Sequence, residues 1–411
     1  MRKNLVFIET IDSGHRLQHP AFVLRRLQED PGLLDELHFI LPLSFKERFR
    51  KYFEAEHDSN QNVRFTFIDR KKTDSLGRAD SNFLRPLREL RMARKYAKAH
   101  QLDYVYLDSL NRFFMAHVFL VFTRLKVSGI YYAPHTRIQS RGRGWFARIG
   151  SSVRLLRKKL QVFFLVRNPA VERIFILNDQ YSVDELNAKY RTNKFRYLVD
   201  PIWVSNSIDY VNKESTEQVR YCGDKVGESK NFLIFGAITR NKGIPEFLSG
   251  LSLLPLASQQ KVRLSIIGKI SENYREQLNH TIEGFTLNSP AIEIDLNDEF
   301  VSAEAMDSYF RGCDVVVNAN IRSQSASGIM GHAAVRGKPS ISSDSGLYGE
   351  LAQAYQLGPI VDPHNPREIA VACESILNGE IKNFNLAQAR KYASERHWRE
   401  FADTVISAVY A

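Results

Sequence analysis

The stretch Asp314 to Ser342, DVVVNANIRSQSASGIMGHAAVRGKPSIS, constrains the fold of this chain more than any other. Asp314 to Ala319 is a short apolar run rich in β-branched residues, the pattern of a buried strand. A polar loop follows, Asn320 to Ser327. Gly328 then opens a helical run to Arg336. Gly337 ends that helix, and Lys338-Pro339 leads into a second strand, Ser340 to Ser342. Open α/β sheets bind ligands at such a place, between a strand's carboxyl end and the amino end of the next helix. Free backbone N–H groups and the helix dipole favour an anion there, such as a phosphate. Ser325 and Ser327 supply two small donors, and Gly328 lets a ligand approach the backbone.

The same strand–loop–helix rhythm runs along the chain. In the first half, strands are expected at Leu5 to Thr10, Glu36 to Leu41, Val63 to Ile68, Tyr104 to Leu107, Ser128 to Ala133 and Arg173 to Leu177. Helices are expected at Pro20 to Leu27, Phe45 to Phe53, Leu84 to His100, Phe113 to Thr123 and Val183 to Tyr190. In the second half, strands at Phe232 to Phe235, Val262 to Ile267, Ile292 to Leu296 and Ile360-Val361 alternate with helices at Pro245 to Leu254, Tyr274 to Ile282, Ala303 to Phe310 and Pro366 to Leu377. This alternation argues for parallel sheets covered by helices on both faces. Residues 202–230 lack periodicity and read as a linker between domains at 1–201 and 231–385. A final helix, Leu386 to Val409, carries Trp398, Phe401, Val405 and Val409 at helical spacing, compatible with a return to the first domain.

Charge is placed unevenly. The chain carries a net +11, yet residues 1–200 alone hold 37 Lys+Arg against 21 Asp+Glu. A basic half beside a slightly acidic one implies an anionic ligand or surface on one side only. From Ser109 to Val171 there is no Asp or Glu, but 12 Lys+Arg. Within that stretch Trp145, Phe146, Ile149, Val153, Leu156 and Leu160 repeat at helical intervals among Arg148, Arg154, Arg157, Lys158 and Lys159. That composition suits an amphipathic helix at an anionic membrane surface. Nucleic acid is the competing partner, but no RNA-binding signature is present; the third reading is that the apolar residues pack in the core. Arg85, Arg88, Arg91, Arg94 and Lys98 likewise share one helix face, either a solvated basic face or a headgroup contact. Three scattered cysteines, Cys222, Cys313 and Cys373, show no disulfide framework or zinc spacing, which points to a reducing cytoplasm. Glu9 and Asp12 interrupt the first apolar run too early for a signal peptide.

Two places carry a family resemblance. Gly337-Lys338-Pro339, the strand beyond it and the small-residue helix Gly331-His332-Ala333-Ala334 resemble the nucleotide-sugar site of family 4 glycosyltransferases, which have the GT-B fold. That family usually places two glutamates eight residues apart here; this chain has Gln324 and His332 in that register. Gly236 followed by Arg240-Asn241-Lys242-Gly243 resembles the family's diphosphate loop, in which Lys242 matches and Ala237 stands where an Arg is usual.

The resemblance implies two doubly wound Rossmann-like domains facing a cleft. It also implies a retaining, metal-independent transfer of sugar from a nucleotide-sugar to a glycan or lipid-linked acceptor, without a further cofactor. Lys242, helped by Arg240, would hold the diphosphate, Ser325, Ser327 and Gly328 would donate to it, and Gln324 and His332 would read sugar and ribose hydroxyls. Gly14, in the loop after the first strand, would lie under the donor. His135, just past a strand's carboxyl end, would stand near the reacting carbon. Two rivals remain at this point: a nucleotide-sugar epimerase, and a catalytically silent binding protein at the membrane, which the replaced glutamates favour.

Overall fold

The computed structural model describes residues 4–10, 18–48, 62–69, 84–113, 125–137, 145–202, 229–322 and 328–410. The chain divides into two compact units, Met1–Asp200 with Trp398–Ala411, and Pro201–His397.

Among its described residues the first unit holds seven strands: β1 Asn4–Ile8, β2 Glu36–Pro42, β3 Val63–Ile68, β4 Tyr104–Leu107, β5 Lys126–Ile130, β6 Val171–Leu177 and β7 Phe195–Leu198. They form one sheet in the order β3-β2-β1-β4-β5-β6-β7, with every pairing parallel. Strands covered on both faces read as continuous apolar runs, and Leu5 to Ile8, Phe39 to Leu41 and Val105 to Leu107 are all buried. One face of the sheet packs against Leu90, Ala93 and Ala97 of the helix Leu84–Ala99 and Val162 and Leu165 of the helix Trp145–Arg167.

The second unit has six strands: β8 Lys230–Phe235, β9 Val262–Ile267, β10 Glu293–Asn297, β11 Val315–Asn318, β12 Ser340–Ser343 and β13 Ile360–Val361. Their order is β10-β9-β8-β11-β12-β13, again all parallel. Alternate residues of β11 enter opposite cores: Val315 and Val317 pack with Phe247 and Ile369, and Val316 packs with Phe310 and Ala333.

The elements differ from the sequence reading in several places, the first being β7, a seventh strand beyond the six expected in the first half. The terminal helix is two helices, Leu386–Ser394 and Trp398–Ser407. The chain turns between them because Arg396 folds back, lying over the Tyr392 ring at 3.6 Å and donating to the Tyr392 carbonyl at 2.9 Å. Trp398–Ser407 packs on the first helix, Gln18–Glu29, with Phe401 against Phe22 and Arg26 paired to Asp403 at 2.6 Å. β5 stops at Ile130 and not at Ala133, because Ala133 takes a left-handed φ of 50°. The helix Gly346–Ala354 lacks a sequence cue strong enough to have been read. The expected helix Phe113 to Thr123 falls almost wholly outside the described residues; only the single turn Leu110–Phe113 is seen.

Candidate functional site

In the second unit the strand order reverses between β8 and β11, which puts the ligand crevice at their carboxyl ends. The turn after β8 begins at Gly236, whose φ of 101° favours glycine. A Cβ on Gly236 would lie 3.8 Å from Lys242 Nζ and 3.8 Å from Ile329 Cδ1. The lysine ammonium and the second residue of the helix Gly328–Val335 therefore converge on one point. Lys242 Nζ donates to the Phe235 carbonyl at 2.7 Å. The residue keeps part of its surface, but its ammonium is enclosed, and burial pushes its pKa down to about 8. No carboxylate among the described residues acts on it. An enclosed cation that has no counter-ion among the described residues, beside a helix start, is chemically suited to an anion.

The two loops flanking this point are locked together. Asn241 accepts from the Arg322 N–H at 3.0 Å and donates to the Arg322 carbonyl at 3.2 Å. Its own carbonyl takes the Ile321 N–H at 3.0 Å. Gly243, at φ 70°, lies so close to Ala319 that a Cβ would sit 2.6 Å from its carbonyl oxygen. Arg240 forks onto Glu246, with Nη1 at 2.8 Å, so its guanidinium is already engaged. At the end of β11, Asn318 is fully buried and neither of its side-chain polar atoms is bonded among the described residues; the same holds for its register partner Ser342. Asn320 reaches the Tyr348 hydroxyl at 3.1 Å.

Of the sequence-derived candidates, Gly328 is exposed as the first residue of its helix. His332 is buried one turn further, its ring 5.4 Å from that of Phe310. Gly14, Gln324, Ser325 and Ser327 lie outside the described residues.

In the first unit, His135 is buried and neither ring nitrogen has a hydrogen-bond partner among the described residues. Burial, then the charges of Lys189, Lys159 and Lys158, push its pKa down to about 4, so the ring is neutral at pH 7. The loop around it is pinned. Asn111 bonds the Tyr132 N–H and carbonyl at 2.6 and 2.8 Å, and Thr136 meets Ser182 at 2.6 Å. Arg137 grips Asp179 through two bonds of 2.9 and 2.6 Å. Burial alone would raise the Asp179 carboxyl, but Arg137 and Ser182 hold it below its usual range. A second polar group, missed in the sequence, lies where the strand order of this sheet reverses. Glu9 and Thr10 follow β1, Asp108 follows β4, and His19 contacts Asp108 at 2.7 Å, all buried. Burial alone would lower the His19 pKa; Asp108 outweighs it and holds it above the usual value.

The helix Trp145–Arg167 turns its apolar stripe outward. Val153, Leu156 and Leu160 are 62%, 59% and 44% exposed, so they do not pack in the core; Val162 and Leu165 do. Phe163 and Phe164 extend the stripe, and Arg157, Lys159 and Arg167 are exposed beside it. Lys158 is a correction to the basic set, because its ammonium turns inward to the carbonyls of Ala133 and Tyr132. Arg148 and Arg154 belong to the same helix, with side chains outside the described ones. Arg88, Arg91, Arg94 and Lys98 are exposed on the helix Leu84–Ala99, and the side chain of Arg85 is outside the described ones.

Residues 223–396 match the family model for glycosyl transferases group 1. That match covers most of the second unit and marks what the segment is similar to. The chain as a whole has the GT-B fold. Anabaena HepE, solved with UDP and glucose, is 13% identical, with 100% of both chains covered and a TM-score of 0.66. WaaG, a glycosyltransferase involved in lipopolysaccharide biosynthesis, is 13% identical over 99% of both chains, with a TM-score of 0.64. Sucrose-phosphate synthase of Thermosynechococcus elongatus is 11% identical, covering 98% of this chain and 97% of its own, with a TM-score of 0.65. No curated protein sequence matches the chain significantly. Within the second unit, the locked loops and the enclosed lysine lie together after β8 and β11.

Proposed function

We propose that the chain transfers a sugar from a nucleotide-sugar to a glycan or lipid-linked acceptor at the surface of a membrane. The observation that carries this is Lys242: an enclosed ammonium, without a carboxylate, meeting the start of the helix Gly328–Val335 at Gly236. A diphosphate seated there would hold the lysine in its charged form, against the effect of burial. As the glycosyl bond breaks, the leaving diphosphate gains negative charge, and a fixed cation stabilises it. Ser325, Ser327 and Gly328 would complete the cradle, and Gln324 and His332 would meet sugar and ribose hydroxyls. Arg240 would join them only by releasing Glu246. His135 and Gly14 are the proposed first-unit groups; a neutral His135 acts through hydrogen bonds and not as a charged acid. The family resemblance supports retention of anomeric configuration without an obligatory metal.

The UDP bound by Anabaena HepE makes UDP and UDP-sugars the first ligands to test. Thermal shift should show UDP raising the melting point of the full chain, because a ligand of the folded state alone stabilises it. Lys242→Ala should remove most of that rise. Melting unchanged by every nucleoside diphosphate and nucleotide-sugar would overturn the reading. Nucleotide binding with no release of UDP from any donor would favour the catalytically silent alternative.

The membrane part rests on the outward stripe of the helix Trp145–Arg167 and the basic residues beside it. Among the described residues no helix is long and apolar enough to cross a bilayer.

A further inference from the structure

The second sheet ends at β13, which pairs with β12 on one side and is the last strand in the order. Within that pair Ser342 donates to the Pro359 carbonyl at 2.9 Å and Asp344 donates to the Val361 carbonyl at 2.8 Å. The alternation of a parallel ladder then turns the N–H and carbonyl of Ile360 away from β12, toward the open edge. The chain covers this edge only as far as Gly358. Leu357 bridges Phe384 in antiparallel sense, Asn385 donates to the Gln356 carbonyl at 2.9 Å, and Gly358 donates to the Asn383 carbonyl at 2.8 Å. The Asn383 amide closes the cover by donating to the Gly358 carbonyl at 3.1 Å.

Where the cover ends, an open groove of about 540 Å³ follows the edge. It is lined by Ile360 and Val361 of β13, by Arg367 and Val371 of the helix Pro366–Leu377, and by Lys382 of the covering segment. Its volume is in the range of ligand sites, about 300–1,000 Å³. Arg367 and Val371 are one turn apart, so they share a helix face. Val371 is 59% exposed, an apolar wall open to solvent. Arg367 and Lys382 are exposed, and neither forms an ion pair among the described residues. The carboxylate in the lining, Glu368, is already engaged: it accepts from the Asp362 N–H and from the Asn365 amide, each at 2.8 Å.

An edge with an outward N–H and carbonyl, an apolar wall and two uncompensated cations suits an extended chain that carries carboxylates. A second copy of the same edge would set Arg367 and Lys382 against their own kind. Basic residues at a short edge strand oppose self-pairing in this way, and the same charges attract an acidic partner.

We propose that the open edge of β13 takes an extended acidic segment of a partner protein as an added strand. The segment's backbone bonds the Ile360 N–H and carbonyl, one of its apolar side chains meets Val371, and its carboxylates meet Arg367 and Lys382. This goes beyond sugar transfer, because none of these residues belongs to the crevice around Lys242. The groove holds a partner and takes no part in the chemistry.

The probe is a fluorescent octapeptide of alternating valine and glutamate, titrated against the full chain at low salt and read by polarisation. One control peptide replaces glutamate by lysine. Another places proline at two of the valine positions, which removes backbone donors. Saturable binding of the acidic peptide is expected, with both controls at least about tenfold weaker. Arg367→Ser with Lys382→Ser should weaken binding about fivefold or more, and high salt should do the same. Both side chains are exposed, so the melting point and its response to UDP should not change. Hydrogen exchange at the Ile360 amide should slow when the peptide binds. Absence of saturable binding, equal binding of the lysine peptide, or unchanged exchange at Ile360 would each overturn the proposal. Displacement of the acidic peptide by an equal concentration of glutarate would make the groove a small-anion pocket and would overturn it as well. So would self-association of the chain that the peptide competes away, which would assign the edge to a second copy. Loss of the UDP response with peptide binding intact would count against the sugar-transfer reading and leave the strand site standing.

Discussion

Asn241 holds Arg322 by both ends of its amide, donating to the carbonyl at 3.2 Å and accepting from the N–H at 3.0 Å. The pair joins the loop after β8 to the loop after β11, which are 81 positions apart in sequence. Only an amide side chain offers a donor and an acceptor in this geometry. Asn241→Ala should therefore cost stability modestly, about 1–2 kcal/mol for two partly exposed bonds. Its larger effect should be on nucleotide affinity, because the variant frees the turn that carries Lys242. Calorimetric titration of UDP against Asn241→Ala should show several-fold weaker binding. Affinity equal to the parent chain would mean that the clamp does not hold the site.

Gly243 stands on the same seam. Its φ of 70° and the 2.6 Å approach to the Ala319 oxygen each oppose a side chain. Gly243→Ala should destabilise by about 1–3 kcal/mol, the usual scale for a residue forced into left-handed backbone. Denaturant unfolding checks this. Gly312→Ala, where no atom lies within 4 Å and φ is not positive, is the control. If the two variants unfold alike, Gly243 is not a constraint.

Lys242 sets a pH dependence whose sign can be worked out. Its pKa falls from 10.5 in the unfolded chain to about 8 in the fold, because burial penalises the charged form. Between these values the unfolded state binds more protons, so stability rises as pH increases from about 8 toward 10.5. Nucleotide binding runs the other way: it needs the ammonium and should weaken above about pH 8 in the unliganded protein's terms. Lys242→Met should flatten the stability rise and weaken UDP at pH 7. Parallel denaturation and UDP titrations from pH 7 to 10 test both. A UDP affinity that does not change across that range would remove Lys242 from the site.

Much of this architecture was legible because parallel strands are buried on both faces and announce themselves as apolar runs. Val63 to Ile68, Tyr104 to Leu107 and Val262 to Ile267 lie where periodicity put them. Lys242 stands out in the sequence through the resemblance of Gly236 to Gly243 to the family's diphosphate loop. What escaped was polarity whose meaning depends on distant partners. Asn241 looks like any loop residue until Arg322 is beside it. Asn318 ends a valine run as though solvent followed, yet it is sealed against the helix layer. The ion pair of Arg137 and Asp179 joins residues 42 apart, and no local pattern marks it. The terminal helix misled for a related reason: Trp398 and Phe401 have helical spacing, but nothing in that spacing shows Arg396 closing back on Tyr392.

The Arg137–Asp179 pair should be the most costly single break in the first unit. Their side chains are 7% and 1% exposed, so removing the arginine strands a buried carboxylate. Arg137→Ala should cost about 3–5 kcal/mol, whereas replacing both with apolar residues should cost less. Because the Asp179 pKa is lowered in the fold, its contribution is present above the ordinary carboxylate range and is lost as pH falls through the folded value. Thermal melts should therefore show the parent chain losing its advantage over Arg137→Ala only in acid. A constant difference down to pH 3 would refute the pairing as a stabilising one.

The proposed membrane docking would separate into an apolar and an ionic part, each with its own readout. Leu156 and Leu160 are exposed, so replacing both with Ser should leave folding nearly unchanged. Burying one leucine side chain contributes about 1.5–3 kcal/mol, and losing two should therefore reduce vesicle binding at least about tenfold even at high salt. Arg157, Lys159 and Arg167 add roughly 1 kcal/mol each against an anionic leaflet, a part that screening removes. Sedimentation with vesicles of anionic and of neutral lipid, at low and high salt, distinguishes the two. The leucine pair should matter on both lipids, the basic trio only on the anionic one at low salt. Binding unaffected by either set would assign the stripe to something other than a bilayer.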